Sequence, residues 1–179
     1  MDNKRSLKCL QLIFIVSIIT CLLSFPSIPE GKQPDRDTLD FSLAALDGEK
    51  VSLKDYRGKK IVHLMFWATW CPKCLLEMPN LKKLYDTVGD RPYEILAVNV
   101  GYNDSLKRIR KIKEKYQIPC KILFDEKGEV SKGCAVVFVP CHIIIDKDGV
   151  IKDRFSELPA DPVKYLNELF PPQKKPATS

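Results

Sequence analysis

The feature that most constrains this chain is an apolar segment that runs almost directly into two closely spaced cysteines. Residues 61–67 are nearly all apolar, and after three further residues comes Cys71-Pro72-Lys73-Cys74. A continuous apolar run predicts a strand that is buried on both faces, and Pro72 suits the first position of a helix. The sequence therefore predicts a buried strand, a tight connection and a helix whose N-cap is Cys71. His63, within the strand, is interpreted as a core residue, with a role as a ligand as the alternative.

A cysteine at a helix N-terminus is biased toward its thiolate form. The first backbone N–H groups of a helix have no intrahelical partner, and the helix dipole favours negative charge there. We expect the Cys71 sulfur to accept hydrogen bonds from the N–H groups of Lys73 and Cys74. Since the thiolate is the nucleophile in disulfide exchange, we assign Cys71 as the exposed, attacking thiol. Cys74, one turn deeper, is assigned as the buried, resolving thiol.

The residues around this pair resemble a known family. Phe66-Trp67-Ala68-Thr69-Trp70-Cys71-Pro72-Lys73-Cys74, followed by Glu77-Met78-Pro79, is similar to the thioredoxin superfamily and, within it, to the TlpA/ResA-like membrane-anchored thiol–disulfide oxidoreductases. The likeness runs from about Asp40 to Phe170. It implies an α/β thioredoxin fold, with a central mixed β-sheet flanked by helices and an N-terminal β-hairpin. The sequence departs from the family between the two cysteines: the family commonly has proline next to the second cysteine, whereas here Pro72 follows the first.

The same resemblance implies how a substrate is held. It predicts a cis peptide bond at Pro140 facing the dithiol, so that Val139 and Pro140 bind the backbone of an incoming peptide as an added strand. Trp70 is expected to shield the dithiol and to contact substrate, with simple packing as the alternative. Cys141 stands where the family usually has threonine, next to the predicted cis-proline.

Glu77 lies on the apolar stripe of the helix that follows Cys71. At 100° per residue it falls on the same face as the apolar side chains, which are Cys74, Met78, Leu81, Leu84, Tyr85 and Val88. Burial raises the pKa of a carboxyl group and suits it to proton transfer near neutral pH. The resemblance carries a functional glutamate onto this position. The alternative is that Glu77 reaches solvent over the edge of the helix.

The N-terminal residues have the pattern of a secretory leader. Lys4, Arg5 and Lys8 precede an uncharged run from Cys9 to Phe25, which would span about 25 Å as a helix. No good cleavage site follows, so we expect residues 1–27 to be an uncleaved membrane anchor, with cleavage as the alternative. The basic flank should stay inside, which places the domain outside the cytoplasm. We assign 28–38 as a linker, 39–171 as the thioredoxin-like domain and 172–179 as a polar tail.

Composition adds fewer constraints. The net charge of +6 is spread along the chain, no nucleic-acid-binding motif is present, and no nucleic-acid partner is expected.

Asn103 or Asp104 is predicted to cap the helix that follows the second buried strand. Three cysteines lie in the domain beyond the active pair: Cys120, Cys134 and Cys141. Cys141 is expected to be a small buried residue, to pair with Cys120 or Cys134, or to be a third redox or metal-binding thiol.

The sequence therefore favours an enzyme that needs no cofactor beyond its two cysteines. Its expected partners are protein thiols and disulfides and a membrane electron donor, and by resemblance its task is that of a reductant, as in cytochrome c maturation. A soft-metal carrier, for example of copper, is the alternative, using Cys71, Cys74 and either Cys141 or His142. A zinc site is disfavoured, because the other potential ligands are scattered rather than paired at short spacing. A thiol peroxidase is also disfavoured, because no peroxide-site motif surrounds Cys71.

Overall fold

The computed structural model describes residues 39–169. The predicted anchor (1–27), linker (28–38) and polar tail (172–179) lie outside the described residues. Within 39–169, no helix combines the length and the apolar character that crossing a membrane requires.

An antiparallel hairpin opens the described chain. Strands β1 (Ser42–Ala44) and β2 (Lys50–Ser52) pair in antiparallel register. The connection turns at Gly48, whose φ of +90° is a conformation that side chains disfavour. A short 3-10 helix, Leu53–Tyr56, follows. The predicted N-terminal hairpin is confirmed.

A five-stranded mixed sheet forms the centre of the domain. Its strand order is β5-β4-β3-β6-β7. The β4 strand is parallel to both β3 and β5, whereas β6 is antiparallel to both β3 and β7. Every residue of β3 is buried, as its apolar sequence predicts. The strands are β3 (Ile61–Trp67), β4 (Tyr93–Asn99), β5 (Lys121–Phe124), β6 (Cys141–Ile145) and β7 (Ile151–Phe155).

Four α-helices accompany the sheet in the described part of the chain. They are α1 (Pro72–Val88), α2 (Leu106–Tyr116), α3 (Glu129–Gly133) and α4 (Pro162–Leu169). The predicted apolar face of α1 is buried except at Tyr85, which is 39% exposed. The last helix begins at Pro162, and the Lys164 N–H donates to the Asp161 carboxylate at 2.9 Å.

Side chains of the sheet feed two apolar clusters, one on each face. The first cluster contains the buried residues of α1 together with Met65, Trp67 and Ile95. The second contains Phe66, Leu96 and Ile143, against which the hairpin region packs. Alternate residues of one strand point to opposite faces, so neighbours in sequence enter different clusters. The dithiol belongs to the first cluster.

Candidate active site

The two cysteines of the motif form a disulfide at the N-terminus of α1. Cys71 is the N-cap and Pro72 is the first helical residue, as predicted. The Cα atoms of Cys71 and Cys74 are 5.3 Å apart, and the Cys74 N–H donates to the Cys71 sulfur at 3.1 Å. The predicted hydrogen bond from the backbone N–H of Lys73 to the Cys71 sulfur is not formed. The side-chain ammonium of Lys73 forms an ion pair with Glu157 at 3.0 Å.

Cys71 is less accessible than predicted. In this oxidised state it is 4% exposed and Cys74 is fully buried. The carbonyl oxygen of Val139 lies 3.6 Å from the Cys71 sulfur and covers it. The order of depth holds, with Cys71 the shallower of the two, but the expected exposed thiol is absent from the closed pair.

The Val139–Pro140 peptide bond is cis, as expected. Pro140 directly precedes β6, and β6 pairs with β3, the strand that leads to the dithiol. This pairing brings Val139 to Cys71 although 68 residues separate them. The main chain at Val139 thus lies beside the sulfur that would meet a substrate.

Exposed apolar side chains lie in the segments next to the dithiol. Trp70 is 46% exposed, and its indole N–H donates to the Tyr102 carbonyl at 2.7 Å. Val137 and Phe138, just before the cis bond, are 86% and 58% exposed.

Asp104 fixes the loop that delivers Cys71. Its carboxylate accepts hydrogen bonds from the Thr69 N–H, the Thr69 hydroxyl and the Asn99 amide, each at 2.8 Å. The predicted cap role of Asn103 or Asp104 is wrong, because Ser105 caps α2 by accepting from the Arg108 N–H. Sequence reasoning missed the positioning role of Asp104, since nothing local in the chain relates it to Thr69, 35 residues away.

Glu77 is directed into the protein. Its side chain is 13% exposed. One carboxylate oxygen lies 3.0 Å from Nε2 of His142, and the other accepts from the Leu158 N–H at 3.0 Å. Glu77 therefore does not reach solvent over the helix edge as a free surface charge.

A second imidazole continues this contact into the core. His142 Nδ1 lies 2.9 Å from His63 Nε2, and both histidines are buried. Burial, with the neighbouring His142, lowers the pKa of His63 well below its usual range. The interpretation of His63 as a core residue agrees with this burial, but its hydrogen-bond partner was missed. Knowledge of the antiparallel pairing of β3 with β6 would have revealed this partner, because the pairing makes His63 and His142 near neighbours on one face of the sheet.

The remaining cysteines of the described domain are free buried thiols: Cys120, Cys134 and Cys141. Burial raises the pKa of Cys120 and of Cys134 to about 12, and it also raises the pKa of Cys141. Of the three predicted alternatives, the structure corresponds to small buried residues.

The ligands of the alternative metal carrier are dispersed. In the part of the chain that the structure describes, no three histidine, cysteine or acidic side chains gather in a set suited to a metal ion. His142 contacts Glu77 and His63 on the α1 face, whereas Cys141 belongs to the cluster on the opposite face.

The fold and this site define a thiol–disulfide oxidoreductase of thioredoxin fold, with a vicinal cysteine pair at a helix N-terminus beside a cis-proline. The chain belongs to the AhpC/TSA family, whose model matches residues 34–154.

The chain is similar to two named relatives. The chain is 40% identical over 124 residues to the thioredoxin-like protein YneN of Bacillus subtilis, covering 69% of this chain and 71% of that protein. It is 32% identical over 144 residues to the thiol-disulfide oxidoreductase ResA of Bacillus thuringiensis, covering 79% and 82%.

Solved structures agree on the fold. StoA from Bacillus subtilis superposes with a TM-score of 0.63 at 21% identity, covering 80% of this chain and 98% of that one. A thiol-disulfide oxidoreductase from Bacteroides fragilis gives 0.65 at 23% identity, covering 74% and 98%.

Proposed function

We propose that this protein exchanges electrons with cysteines of other proteins outside the cytoplasm, and that it acts there as a reductant. The observation that carries the proposal is the Cys71–Cys74 disulfide at the N-terminus of α1, with the Val139 carbonyl 3.6 Å from its outer sulfur. Two further arguments support it: the relative named thiol-disulfide oxidoreductase ResA, and the leader-like pattern of residues 1–27.

The reaction proceeds through a mixed disulfide. In the reduced enzyme the Cys71 thiolate attacks a partner disulfide, and the partner sulfur that leaves takes up a proton. Cys74 then gives its proton to Glu77 and attacks the Cys71 sulfur. The partner leaves with both of its sulfurs reduced, and the enzyme holds the Cys71–Cys74 disulfide. A membrane electron donor would reopen it.

Val139, Pro140 and Trp70 form the proposed substrate contacts. An extended peptide placed beside Val139 would meet a free main-chain edge next to Cys71. Trp70 and Phe138 would supply apolar contact on either side. Recognition would then depend on the peptide backbone next to a cysteine rather than on one particular side chain.

The proposed arrangement of the whole chain is an anchor over 1–27, a linker over 28–38, the catalytic domain over 39–171 and a polar tail over 172–179. The basic residues before the apolar run would keep the N-terminus inside and the domain on the outer side of the membrane. Maturation of c-type cytochromes, in which cysteines must be kept reduced, is the proposed task.

The matched variants Cys71→Ser and Cys74→Ser test the mechanism. Cys71→Ser should abolish reduction of a protein disulfide. Cys74→Ser should still attack but should accumulate the mixed disulfide, because the resolving thiol is missing. Non-reducing electrophoresis with mass spectrometry measures the adduct, and Cys120→Ser is the control that should behave as wild type.

The opposite result is equally well defined. If Cys74→Ser traps no partner while the wild-type protein binds one copper ion per chain, the metal carrier replaces the enzyme. The reduction potential of the purified domain, measured against glutathione, decides between reductant and oxidant. A reductant should lie well below the potential of the glutathione pool.

A further inference from the structure

A row of three polar side chains, of which the two histidines are buried, leads from the active-site helix into the core. The Glu77 carboxylate contacts His142 Nε2 at 3.0 Å, and His142 Nδ1 contacts His63 Nε2 at 2.9 Å. The three residues come from α1, β6 and β3. Each contact has hydrogen-bond length, so the row is continuous.

The two histidines of the row are closed off from water. His63 is 1% exposed and His142 is fully buried. The ring of Phe155 stacks on His142 with a 5.0 Å centroid distance and an 8° interplanar angle. Imidazoles held this tightly keep one orientation, and a buried polar pair is costly unless its bonds are made.

The proton positions in the row follow from what each group can do. An ionised carboxylate only accepts hydrogen bonds, so His142 Nε2 carries a hydrogen that it donates to Glu77. With its hydrogen on Nε2, His142 accepts at Nδ1, so His63 Nε2 donates to it. Among the described residues His63 Nδ1 has no hydrogen-bond partner, which fits a bare lone pair. The lowered pKa of His63 keeps that ring neutral.

We propose that His142 and His63 are positioning residues for the proton transfer from Cys74. His142 aims and holds the Glu77 carboxylate as a proton acceptor one helical turn from Cys74, and His63 donates to His142 Nδ1 and so holds that ring toward Glu77. The proposal rests on the proposed function, in which Cys74 must lose a proton before it closes the disulfide. One proton moves from the Cys74 sulfur to Glu77, and the two histidines keep theirs.

Other ionisable groups lie on the elements around this row. On α1 these are Cys74 and Lys73, the latter paired with Glu157 from the segment after β7. The Tyr93 ring on β4 lies edge-on to His63 at 6.4 Å. Beyond Phe155, Tyr165 on α4 donates a hydrogen bond to Asp153 on β7. In the described part of the chain none of these groups forms a hydrogen bond with the Glu77 carboxylate, which instead bonds His142 and the Leu158 N–H.

Two substitutions of His142 separate positioning from packing. His142→Gln can still donate an N–H toward Glu77, whereas His142→Leu cannot. The reduced enzyme is mixed with a fluorescent peptide disulfide, and the measurement is the rate at which Cys74 then releases the peptide from the Cys71 mixed disulfide, between about pH 5 and pH 9. Leu should slow resolution at least tenfold, in keeping with the contribution of proton-transfer groups, and move the half-maximal rate to higher pH. Gln should remain within about threefold of wild type.

The first step of the reaction provides the internal control. Alkylation of Cys71 in the reduced protein should proceed at the wild-type rate in both variants, because the row does not contact Cys71. Glu157→Gln, a nearby exposed carboxylate, should resolve the mixed disulfide normally. If Leu resolves as fast as wild type with the same pH profile, or if Gln is as slow as Leu, the positioning role is overturned.

The role of His63 has a readout that needs no activity. Nitrogen-15 NMR distinguishes a protonated imidazole nitrogen from a bare one. Wild type should show hydrogen on Nε2 only in both His142 and His63. A hydrogen on Nδ1 of either ring would overturn the proposal. Failure of the proposed function would look different, because Cys71 would then form no mixed disulfide at all.

Discussion

Among single residues, His63 makes the unfolding free energy of the domain depend on pH. It is an imidazole of ordinary basicity in the unfolded chain and a buried neutral ring in the folded one. The unfolded state therefore binds more protons than the folded state once the pH falls below about 6.5. The contribution of neutral His63 to the unfolding free energy is therefore complete above about pH 6.5 and is lost as the pH falls below it.

This difference predicts a stability change that a substitution removes. Between about pH 7.5 and pH 5.5 the wild-type domain should lose about 1 kcal/mol more unfolding free energy than His63→Leu does. Urea denaturation of both proteins at the two pH values measures it. Equal losses in the two proteins would mean that His63 is protonated in the folded domain.

The residues of the site divide by how far apart their partners lie in the chain. Cys71 and Cys74 were predictable because their chemistry arises within one helical turn, and the inward direction of Glu77 follows from helical periodicity. His142 was not predictable as the partner of Glu77, because 65 residues separate them and the contact requires the β3–β6 pairing. The accessibility of Cys71 was mispredicted for the same reason, since its cover comes from Val139.

Among the elements, the loop between β3 and α1 depends on the loop between β4 and α2. Asp104 joins them through three hydrogen bonds at 2.8 Å to Thr69 and Asn99. Its side chain is fully buried, so its removal leaves several donors without a partner. The position of Cys71 therefore depends on a residue on another strand connection.

Asp104→Ala should consequently lower the unfolding free energy by about 3 kcal/mol, since hydrogen bonds to a buried charge are among the strongest. It should also slow the attack by Cys71. Thermal denaturation and alkylation kinetics measure the two effects. Asp86→Ala, which breaks only an exposed ion pair with Lys82, should change stability by less than about 1 kcal/mol. Similar losses in both variants would remove Asp104 from its assigned role.

The strands and helices themselves were largely predictable. The continuous apolar sequence of β3, the Asp47-Gly48 turn of the hairpin and the Asp161-Pro162 start of α4 are local signals, and all three are observed. The start of α2 was not, because Asn103, Asp104 and Ser105 are all suitable caps. Tertiary hydrogen bonds to Asp104 decided among them.

On the scale of the whole molecule, three of the exposed apolar side chains lie in the chain segments that carry Cys71 and Val139. Trp70 immediately precedes Cys71 in the chain, and Val137 and Phe138 lie just before Val139. A small disulfide reagent needs only access to sulfur, whereas a protein substrate must also contact its surroundings. The two kinds of substrate should therefore respond differently to changes around the pair.

Phe138→Ser should lower the rate of reduction of a protein disulfide about tenfold, the usual effect of losing an apolar anchor. The rate with a small aromatic disulfide should change less than twofold. Tyr85→Ser, an exposed aromatic about 20 Å along α1 from the dithiol, should affect neither. Equal losses with both substrates would assign Phe138 to the structure of the site instead of to substrate contact.

The alternation of β6 has a consequence for chemical damage. Cys141 and His142 share a peptide bond, yet the thiol enters the cluster on the hairpin side while the imidazole meets Glu77 and His63 on the other. The sheet thus separates the Cys141 thiol on its hairpin side from the His142 imidazole on its α1 side. An oxidant that reaches Cys141 would modify the apolar cluster on the hairpin side of the sheet and would leave Glu77, His142 and His63 on the α1 side chemically intact.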